Sequence, residues 1–172
     1  SFGFPVLKAV SAYCTKFIDV HLMIEQPNRY FSMLKDSGAQ GLSIHFEGNH
    51  HLHRDLSEIK RLGMKAGLAL NPQTSLDTVK ELLSSIDYLL LMSVNPGFGG
   101  QKFINETTNK VARASALRNT LGLDFDIQVD GGVNLENCVK LKEAGADNLV
   151  AGSAVFKSSN PQETIVQLKS SL

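Results

Sequence analysis

Three glycine-bearing segments in the second half of the chain have residue types suited to binding an anion. They read VNPGFGG at residues 94–100, DGG at residues 130–132 and GS at residues 152–153. Glycine lets the backbone approach a ligand closely and direct N–H groups at it. Each segment alone is compatible with a tight turn, but the three together favour a phosphate site. The last two contain no Lys or Arg, so we expect backbone dipoles rather than full charges to hold the phosphate.

Two ionisable side chains lie at the ends of apolar runs. Asp130 follows the run at 126–129, where its carboxylate suits a general acid/base or a metal ligand, although Asp is also a common helix N-cap. His21 lies in the run at 17–23 and is either a metal ligand or an ordinary hydrogen-bonded imidazole. Asp19 points to the same side, about 6.6 Å deeper along a strand, so we expect it in a buried polar layer.

Other reactive or polarizable side chains have competing structural interpretations. Met23 and Met92 either form the floor of a site or fill gaps in the core. The histidines at 50, 51 and 53 diverge at the start of a predicted helix, and we expect them in solvent. The remaining polar residues at predicted strand ends are His45, Glu47 and Asn71.

Six short apolar runs alternate with amphipathic segments along the chain. Most are continuously apolar, as expected of parallel strands covered on both faces. A helix is expected before the first strand and after each strand. The predicted strands span residues 17–23, 41–45, 65–70, 88–94, 126–129 and 148–151.

The segments between the strands carry helical signals. One apolar stripe at helical spacing lies within residues 52–62 and another within residues 76–86. A capping box of Thr74 and Asp77 is expected to open the second helix. Glycines that follow helices are expected to act as left-handed caps, and they are Gly38, Gly63 and Gly145.

This alternation of strands and helices predicts an α/β fold, either a barrel or a doubly wound sheet. A closed (β/α)8 barrel has eight strands, and the chain shows six. We therefore expect a TIM (β/α)8-type barrel, one phosphate-binding domain over residues 1–172, with six strands present and two further strands ahead of Ser1. Ligands of such folds bind at the C-terminal ends of the strands, where the candidates above lie.

Composition and charge exclude several function classes. The 172 residues are 42% hydrophobic and 20% charged, as in ordinary globular proteins. Lys+Arg and Asp+Glu number 17 each, which gives no electrostatic case for nucleic acid or a membrane surface. No apolar run approaches the ~20 residues of a membrane span. Cys14 and Cys138 are too few for a disulfide framework, so we expect a cytoplasmic protein.

Five segments, taken in order, carry a resemblance to a known enzyme family. They read DVHLMIEQP, LALNP, SVNPGFGGQKFI, VDGGVN and VAGSAVF. Together they resemble the ribulose-phosphate 3-epimerases, (β/α)8 barrels of the pentose phosphate pathway and the Calvin cycle. SVNPGFGGQKFI is the most specific, whereas VDGGV and VAGSA recur in other phosphate-binding barrels. The resemblance implies an isomerase that inverts C3 of D-ribulose 5-phosphate to give D-xylulose 5-phosphate.

The resemblance also implies roles for individual residues. Asp130 would be a catalytic acid/base and a metal ligand, and His21 a metal ligand that also touches the substrate. The implied metal is Zn²⁺, with Fe²⁺, Mn²⁺ or Co²⁺ as alternatives, the ligand a pentose phosphate, and the assembly a homo-oligomer. Substrate contacts are further implied for Met23, Met92, Gly97, Phe98, Gly99, Gly100, Gly131, Gly132, Gly152 and Ser153.

The sequence departs from the family pattern in one respect. Family members carry an early Ser-bearing strand and an H-x-D-x-M-D-G strand, which supply another metal-binding His, the second acid/base Asp and a third Met. Neither motif is present in the sequence, so we expect the chain alone to be weakly active or inactive. Two alternatives remain, a non-catalytic truncated barrel that acts by association and a related ketose-phosphate enzyme such as allulose-6-phosphate 3-epimerase.

Overall fold

The computed structural model describes residues 3–171 and contains six parallel strands that alternate with helices, as the sequence predicts. The strands are β1 (Asp19–Leu22), β2 (Gly41–His45), β3 (Lys65–Leu70), β4 (Tyr88–Met92), β5 (Asp126–Asp130) and β6 (Asn148–Val150). The α-helices are α1 (Phe4–Tyr13), α2 (Phe31–Asp36), α3 (Leu52–Arg61), α4 (Glu106–Leu121), α5 (Cys138–Glu143), α6 (Ser153–Phe156) and α7 (Pro161–Ser170). Two 3₁₀ segments, Pro27–Tyr30 and Leu76–Ser85, follow β1 and β3.

The six strands pair in chain order and form a strongly curved sheet. Four strand spacings of about 4.8 Å would put β1 and β5 about 19 Å apart in a flat sheet. Instead, Gln128 Nε2 on β5 donates to Asp19 Oδ2 on β1 at 2.8 Å. The sheet is therefore an arc of a barrel, which confirms the predicted TIM-type architecture. The strands expected ahead of Ser1 lie outside the described residues.

Each face of the sheet carries its own cluster of buried apolar side chains. The outer face packs against the helices and forms the main core, with Leu42, Ile44, Leu68, Leu89 and Ile127 fully buried. The inner face carries a smaller cluster of apolar side chains, namely Ala69, Leu90, Met92 and Val94. Because both faces are covered, the strands are apolar along their whole length, which is why a period of two is weak in the sequence.

Below this inner cluster lies the polar layer predicted around Asp19. The Tyr88 hydroxyl donates to Asp19, and Gln128 donates to the other carboxylate oxygen. Burial of the phenol and the neighbouring Asp19 charge raise the pKa of Tyr88 well above its usual range, so the hydroxyl stays protonated and remains a hydrogen-bond donor. Gly67 makes room for that ring, because a Cβ at Gly67 would overlap it and lie 2.8 Å from Ser43 Cβ.

Several local predictions are confirmed and others are corrected. The three capping glycines have positive φ angles, 101° at Gly38, 75° at Gly63 and 104° at Gly145. The segment predicted as a helix from residue 76 is 3₁₀, and its cap is Ser75, whose hydroxyl accepts from the Asp77 N–H. The predicted Thr74–Asp77 capping box is therefore wrong. Thr74 instead donates to the carboxylate of Glu47, which lies just after the end of β2. Local spacing does not reveal this long-range contact.

The strand limits differ slightly from the predicted ones. β1 is shorter than residues 17–23 at both ends, and β4 ends at Met92 rather than at 94, whereas β5 extends through Asp130. Met23 thus lies just beyond a strand and is 44% exposed. Among the helices of residues 3–171, none is long and apolar enough to span a bilayer.

Candidate active site

Two of the predicted site residues, from strands far apart in the sheet, meet at one end of the arc. His21 is on β1 and Asp130 ends β5, and curvature of the sheet brings His21 Nδ1 to 3.4 Å from Asp130 Oδ2. Their side chains are 12% and 25% exposed, so the pair is shielded yet accessible from the open end. Met92 pairs with Asp130 in the β4–β5 register and closes the floor beneath it.

The separation of this pair bears on metal binding. A distance of 3.4 Å is long for a hydrogen bond, which usually joins heavy atoms 2.7–3.2 Å apart. It matches the distance of about 3.4 Å between two ligand atoms that bind one tetrahedral Zn²⁺ ion through bonds of about 2.0–2.1 Å. An imidazole nitrogen and a carboxylate oxygen are also suitable ligands for Zn²⁺. The pair therefore fits a divalent metal ion.

The described residues supply only part of a complete metal site. Within residues 3–171, no group of three or more His, Cys, Asp or Glu side chains is arranged to hold a metal ion. If a tetrahedral ion binds here, His21 and Asp130 would supply two of its four ligands. The histidines at 50, 51 and 53 are exposed, as expected.

A second histidine and a second carboxylate extend the site away from Asp130. His45, at the end of β2, has its Nε2 atom 2.9 Å from His21 Nε2 and its Nδ1 atom 3.1 Å from Glu47 Oε2. The Asn71 N–H and the Thr74 hydroxyl donate to the other Glu47 oxygen. The sequence places His45, Glu47 and Asn71 at strand ends but does not reveal that they form this network.

The carboxyl group of Glu47 is strongly biased towards its ionised form. Partial burial opposes ionisation, but hydrogen bonds from His45, from Thr74 and from the Asn71 N–H outweigh it and lower the pKa of Glu47 to about 2. Glu47 is therefore a carboxylate at neutral pH, and a carboxylate only accepts hydrogen bonds.

The three glycine-bearing loops meet at the same end of the arc, beside the His21–Asp130 pair. Gly100, Gly132 and Ser153, one residue from each loop, line one cavity of about 610 Å³. Gly132 must lack a side chain, because its φ is 64° and a Cβ would lie 2.9 Å from the Phe103 N atom. Gln101 Nε2 donates to the Phe98 carbonyl and holds the first loop in place.

The remaining predicted contact residues are not among those that line this cavity, and they differ in exposure. Gly97, Gly99 and Gly131 belong to the same loops, and Gly152 directly precedes α6. Phe98 is 86% exposed at the tip of the first loop, whereas Met92 is 1% exposed. The loops contain no cation of their own, but Lys157 also lines the cavity, with Nζ 3.4 Å from the position a Gly100 Cβ would take. Sequence position did not indicate Lys157, because it lies beyond the loops.

Comparison with known proteins places the chain among enzymes. The model of the "Ribulose-phosphate 3 epimerase family" matches residues 1–156. The ribulose-phosphate 3-epimerase of Aquifex aeolicus is 40% identical over 168 residues, 98% of this chain and 76% of the relative. The ribulose-phosphate 3-epimerase of Bacillus subtilis is 43% identical over 167 residues, 96% of this chain and 77% of the relative.

Solved structures support the same architecture at lower sequence similarity. A 3-hexulose-6-phosphate synthase superposes with a TM-score of 0.75 at 18% identity, over 99% of this chain and 81% of that chain. A mutant tryptophan synthase alpha-subunit of Pyrococcus furiosus gives a TM-score of 0.69 at 19% identity, over 96% of this chain and 69% of that chain. At these identities the likeness shows the fold alone. Family membership follows instead from the sequence matches, and the chain belongs to the ribulose-phosphate 3-epimerase family.

Proposed function

We propose that the protein inverts C3 of D-ribulose 5-phosphate to give D-xylulose 5-phosphate, with Asp130 moving the C3 proton. The observation that carries this proposal is the contact of His21 Nδ1 with Asp130 Oδ2 beside the three glycine-bearing loops. The same end of the barrel thus combines a proton-transfer group, two metal-ligand atoms and a cavity suited to a phosphate. Names of relatives that are 40–43% identical over almost the whole chain support the reaction.

The proton at C3 of a 2-ketose is acidic because the neighbouring carbonyl takes up charge as an enediolate. Asp130 is placed to remove or return this proton, since its carboxylate is partly exposed at the strand end. A divalent metal held by His21 and Asp130, with Zn²⁺ as our first choice and Fe²⁺, Mn²⁺ or Co²⁺ as alternatives, would supply Lewis-acid stabilisation of that charge. Met92 contributes a water-excluding floor beneath the carboxylate.

The phosphate end of the substrate would lie in the cavity between the loops. Backbone N–H groups of glycine-rich turns suit such an anion, and the Lys157 ammonium group at the cavity edge adds a full positive charge. Lys102 and Lys140 also line the cavity, together with Glu136, so the expectation of binding through backbone dipoles alone is extended by full charges on side chains outside the loops. Phe98 and Met23 are exposed near the opening, where they can contact the sugar.

Inversion at C3 requires one group that removes a proton and another that returns it to the opposite face. Within residues 3–171, Asp130 is the carboxylate that contacts His21, while Asp19 and Glu47 are held by other hydrogen bonds. We therefore expect residues 1–172 by themselves to exchange the C3 proton with solvent faster than they invert C3.

The sugar specificity is tested by supplying Zn²⁺ and three ketose phosphates in parallel. We expect the chain to act on D-ribulose 5-phosphate in preference to D-allulose 6-phosphate and D-arabino-hex-3-ulose 6-phosphate. The readout, followed by NMR, is product formation and exchange of the proton next to the carbonyl, which is C3–H in the two 2-ketose phosphates and C2–H or C4–H in the hex-3-ulose phosphate. Preferential action on either hexulose phosphate would overturn the pentose assignment, and cleavage of a carbon–carbon bond would overturn the reaction class.

A further inference from the structure

His45 and Glu47 contact the proposed metal ligand but have no part in the reaction described above. The rings of His21 and His45 have centres 4.8 Å apart and planes inclined by 27°. Their Nε2 atoms are 2.9 Å apart, and His45 Nδ1 is 3.1 Å from Glu47 Oε2. The three side chains therefore form one continuous series of hydrogen bonds that ends at His21.

The far end of this series determines the direction of every hydrogen bond in it. Glu47 is ionised and accepts only, so the proton between it and His45 is on His45 Nδ1. A neutral imidazole has a single N–H, which leaves His45 Nε2 as an acceptor. His21 must then donate from Nε2, and its Nδ1 atom presents a lone pair towards Asp130.

Glu47 is itself held in place from the protein side. Its Oε1 atom accepts from the Asn71 N–H at 2.9 Å and from the Thr74 hydroxyl. The Asn71 carbonyl in turn accepts from Lys110 Nζ at 2.8 Å, and Lys110 on α4 is 4% exposed. The carboxylate therefore cannot rotate without breaking partly buried hydrogen bonds, and its fixed orientation sets the orientation of both rings.

We propose that Glu47 and His45 are positioning residues that hold His21 in the Nε2–H tautomer, with the Nδ1 lone pair directed at the metal position beside Asp130. Metal-binding histidines generally donate their second ring N–H to a fixed acceptor, which sets the tautomer and ring orientation. Here the acceptor is another imidazole, oriented by a carboxylate. The proposal rests on the proposed metal site, but the tautomers are properties of the metal-free chain.

The tautomers are measured directly by long-range ¹H–¹⁵N NMR on the metal-free chain, at a pH where both rings are neutral. We expect His45 in the Nδ1–H form, which is the minor tautomer of a free imidazole, and His21 in the Nε2–H form. The exposed histidines at 50, 51 and 53 serve as internal references for unconstrained rings. A proton on His45 Nε2, whether alone or in addition to Nδ1, overturns the proposal.

Glu47→Gln tests whether the group at position 47 sets the direction of the hydrogen bonds. The amide oxygen must face the Asn71 N–H and the Thr74 hydroxyl, so the amide NH₂ faces His45 Nδ1 and donates to it. Both histidine tautomers should then reverse, and His21 Nδ1–H should point at Asp130. We expect Zn²⁺ affinity, measured by calorimetric titration of the chain, to fall roughly 10- to 100-fold. Glu143→Gln, an exposed change of the same kind on α5, should leave tautomers and affinity unchanged.

The two measurements separate the positioning role from the proposed function. Unchanged tautomers in a folded Glu47→Gln variant would overturn the positioning role, whatever its activity. If that variant does not fold, the tautomers measured in the wild-type chain still test the positioning role. Expected tautomers together with preferential action on a hexulose phosphate would instead contradict the proposed function.

Discussion

Among single residues, Glu47 combines partial burial with several donors to one carboxylate. The hydrogen bonds to it lower its pKa from 4.5 to about 2 in the folded protein, whereas the unfolded chain keeps an ordinary value. A lowered folded-state pKa stabilises the protein above the unfolded value, and this stabilisation is lost as pH falls through the folded value. Protonation of Glu47 at low pH should therefore both destabilise the protein and weaken the hydrogen-bond series that ends at His21.

We expect Glu47→Gln to change the pH dependence of stability in the acid range. The ionised group contributes at most about 3 kcal/mol above about pH 4.5, because solvent screens a partly exposed carboxylate. The free energies of unfolding of wild type and variant should differ by an amount of that order at pH 6. They should converge as pH falls towards 2, as measured by urea denaturation at each pH.

Glu143→Gln provides the control, because Glu143 is an exposed carboxylate on α5. Its unfolding free energy should follow that of wild type across the whole pH range. A Glu47→Gln curve that stays parallel to wild type from pH 6 to pH 2 would show that the Glu47 hydrogen bonds do not depend on ionisation.

The sequence identified some of these residues but not their partners. His21 and Asp130 are predictable from the sequence because they lie close to the ends of apolar runs, and parallel strands present such ends to ligands. His45 and Glu47 also end a run, but their roles depend on ring contacts across strands. Those contacts depend on sheet curvature and register, which no local pattern encodes.

At the scale of secondary-structure elements, Tyr88 on β4 lies across the inner face of the sheet. The ring passes over Gly67 on β3 and its hydroxyl donates to Asp19 on β1. This contact links β1 to β4 below the site and supports the position of His21 two residues further along β1. Packing at Gly67 therefore supports the strand that carries His21.

We expect Gly67→Ala to destabilise the protein by about 1–3 kcal/mol, because the added methyl group overlaps the Tyr88 ring. The free energy of unfolding in urea provides the measurement. Gly99→Ala adds the same group where no atom lies within 4 Å, so its stability should match wild type. Equal stability of the two variants would mean that Tyr88 does not pack over Gly67.

The loop ends of β4, β5 and β6 contribute to the cavity, and Lys157, just after α6, is one of three lysines that line it. We expect Lys157→Gln to raise KM for D-ribulose 5-phosphate about 2- to 5-fold, as for an exposed charge pair worth up to about 1 kcal/mol. The kcat should change little, because Lys157 is remote from C3. Lys169→Gln, an exposed change on α7, is the control, and an unchanged KM for Lys157→Gln would remove it from the phosphate site.

The order and type of most elements were predictable from apolar runs and capping glycines. The exception is the segment at residues 76–85, where spacing indicated an α-helix but the chain forms a 3₁₀ segment. The two helix types share neighbours three residues apart, so periodicity separates them poorly. Thr74 does not cap this segment, because its hydroxyl donates to Glu47, 27 positions away in the sequence.

Across the whole molecule, the sheet has two edges. Within residues 3–171, β1 and β6 each pair with one neighbouring strand. Unpaired strand edges are templates for pairing with another chain, and we propose that residues 1–172 associate through them. The interior polar layer and the site both lie on the concave face between these edges.

We expect purified residues 1–172 to self-associate as concentration rises, measured by sedimentation velocity. Val150→Lys places a charge at the β6 edge and should shift the distribution towards monomer. Val166→Lys, an equivalent change at a 65% exposed position on α7, should leave it unchanged. A wild-type chain that stays monomeric at all concentrations would contradict association through these edges.

The central claim is that Asp130 transfers the C3 proton of the substrate. Deuterium incorporation at C3 of D-ribulose 5-phosphate in D₂O with Zn²⁺ tests it most directly, since exchange from one face does not require inversion. We expect exchange with wild type and with Asp126→Asn, an equivalent change at the opposite end of β5, and a loss on the order of 10²- to 10⁴-fold with folded Asp130→Asn. Measurable exchange at equal rates in wild type and Asp130→Asn would contradict the claim.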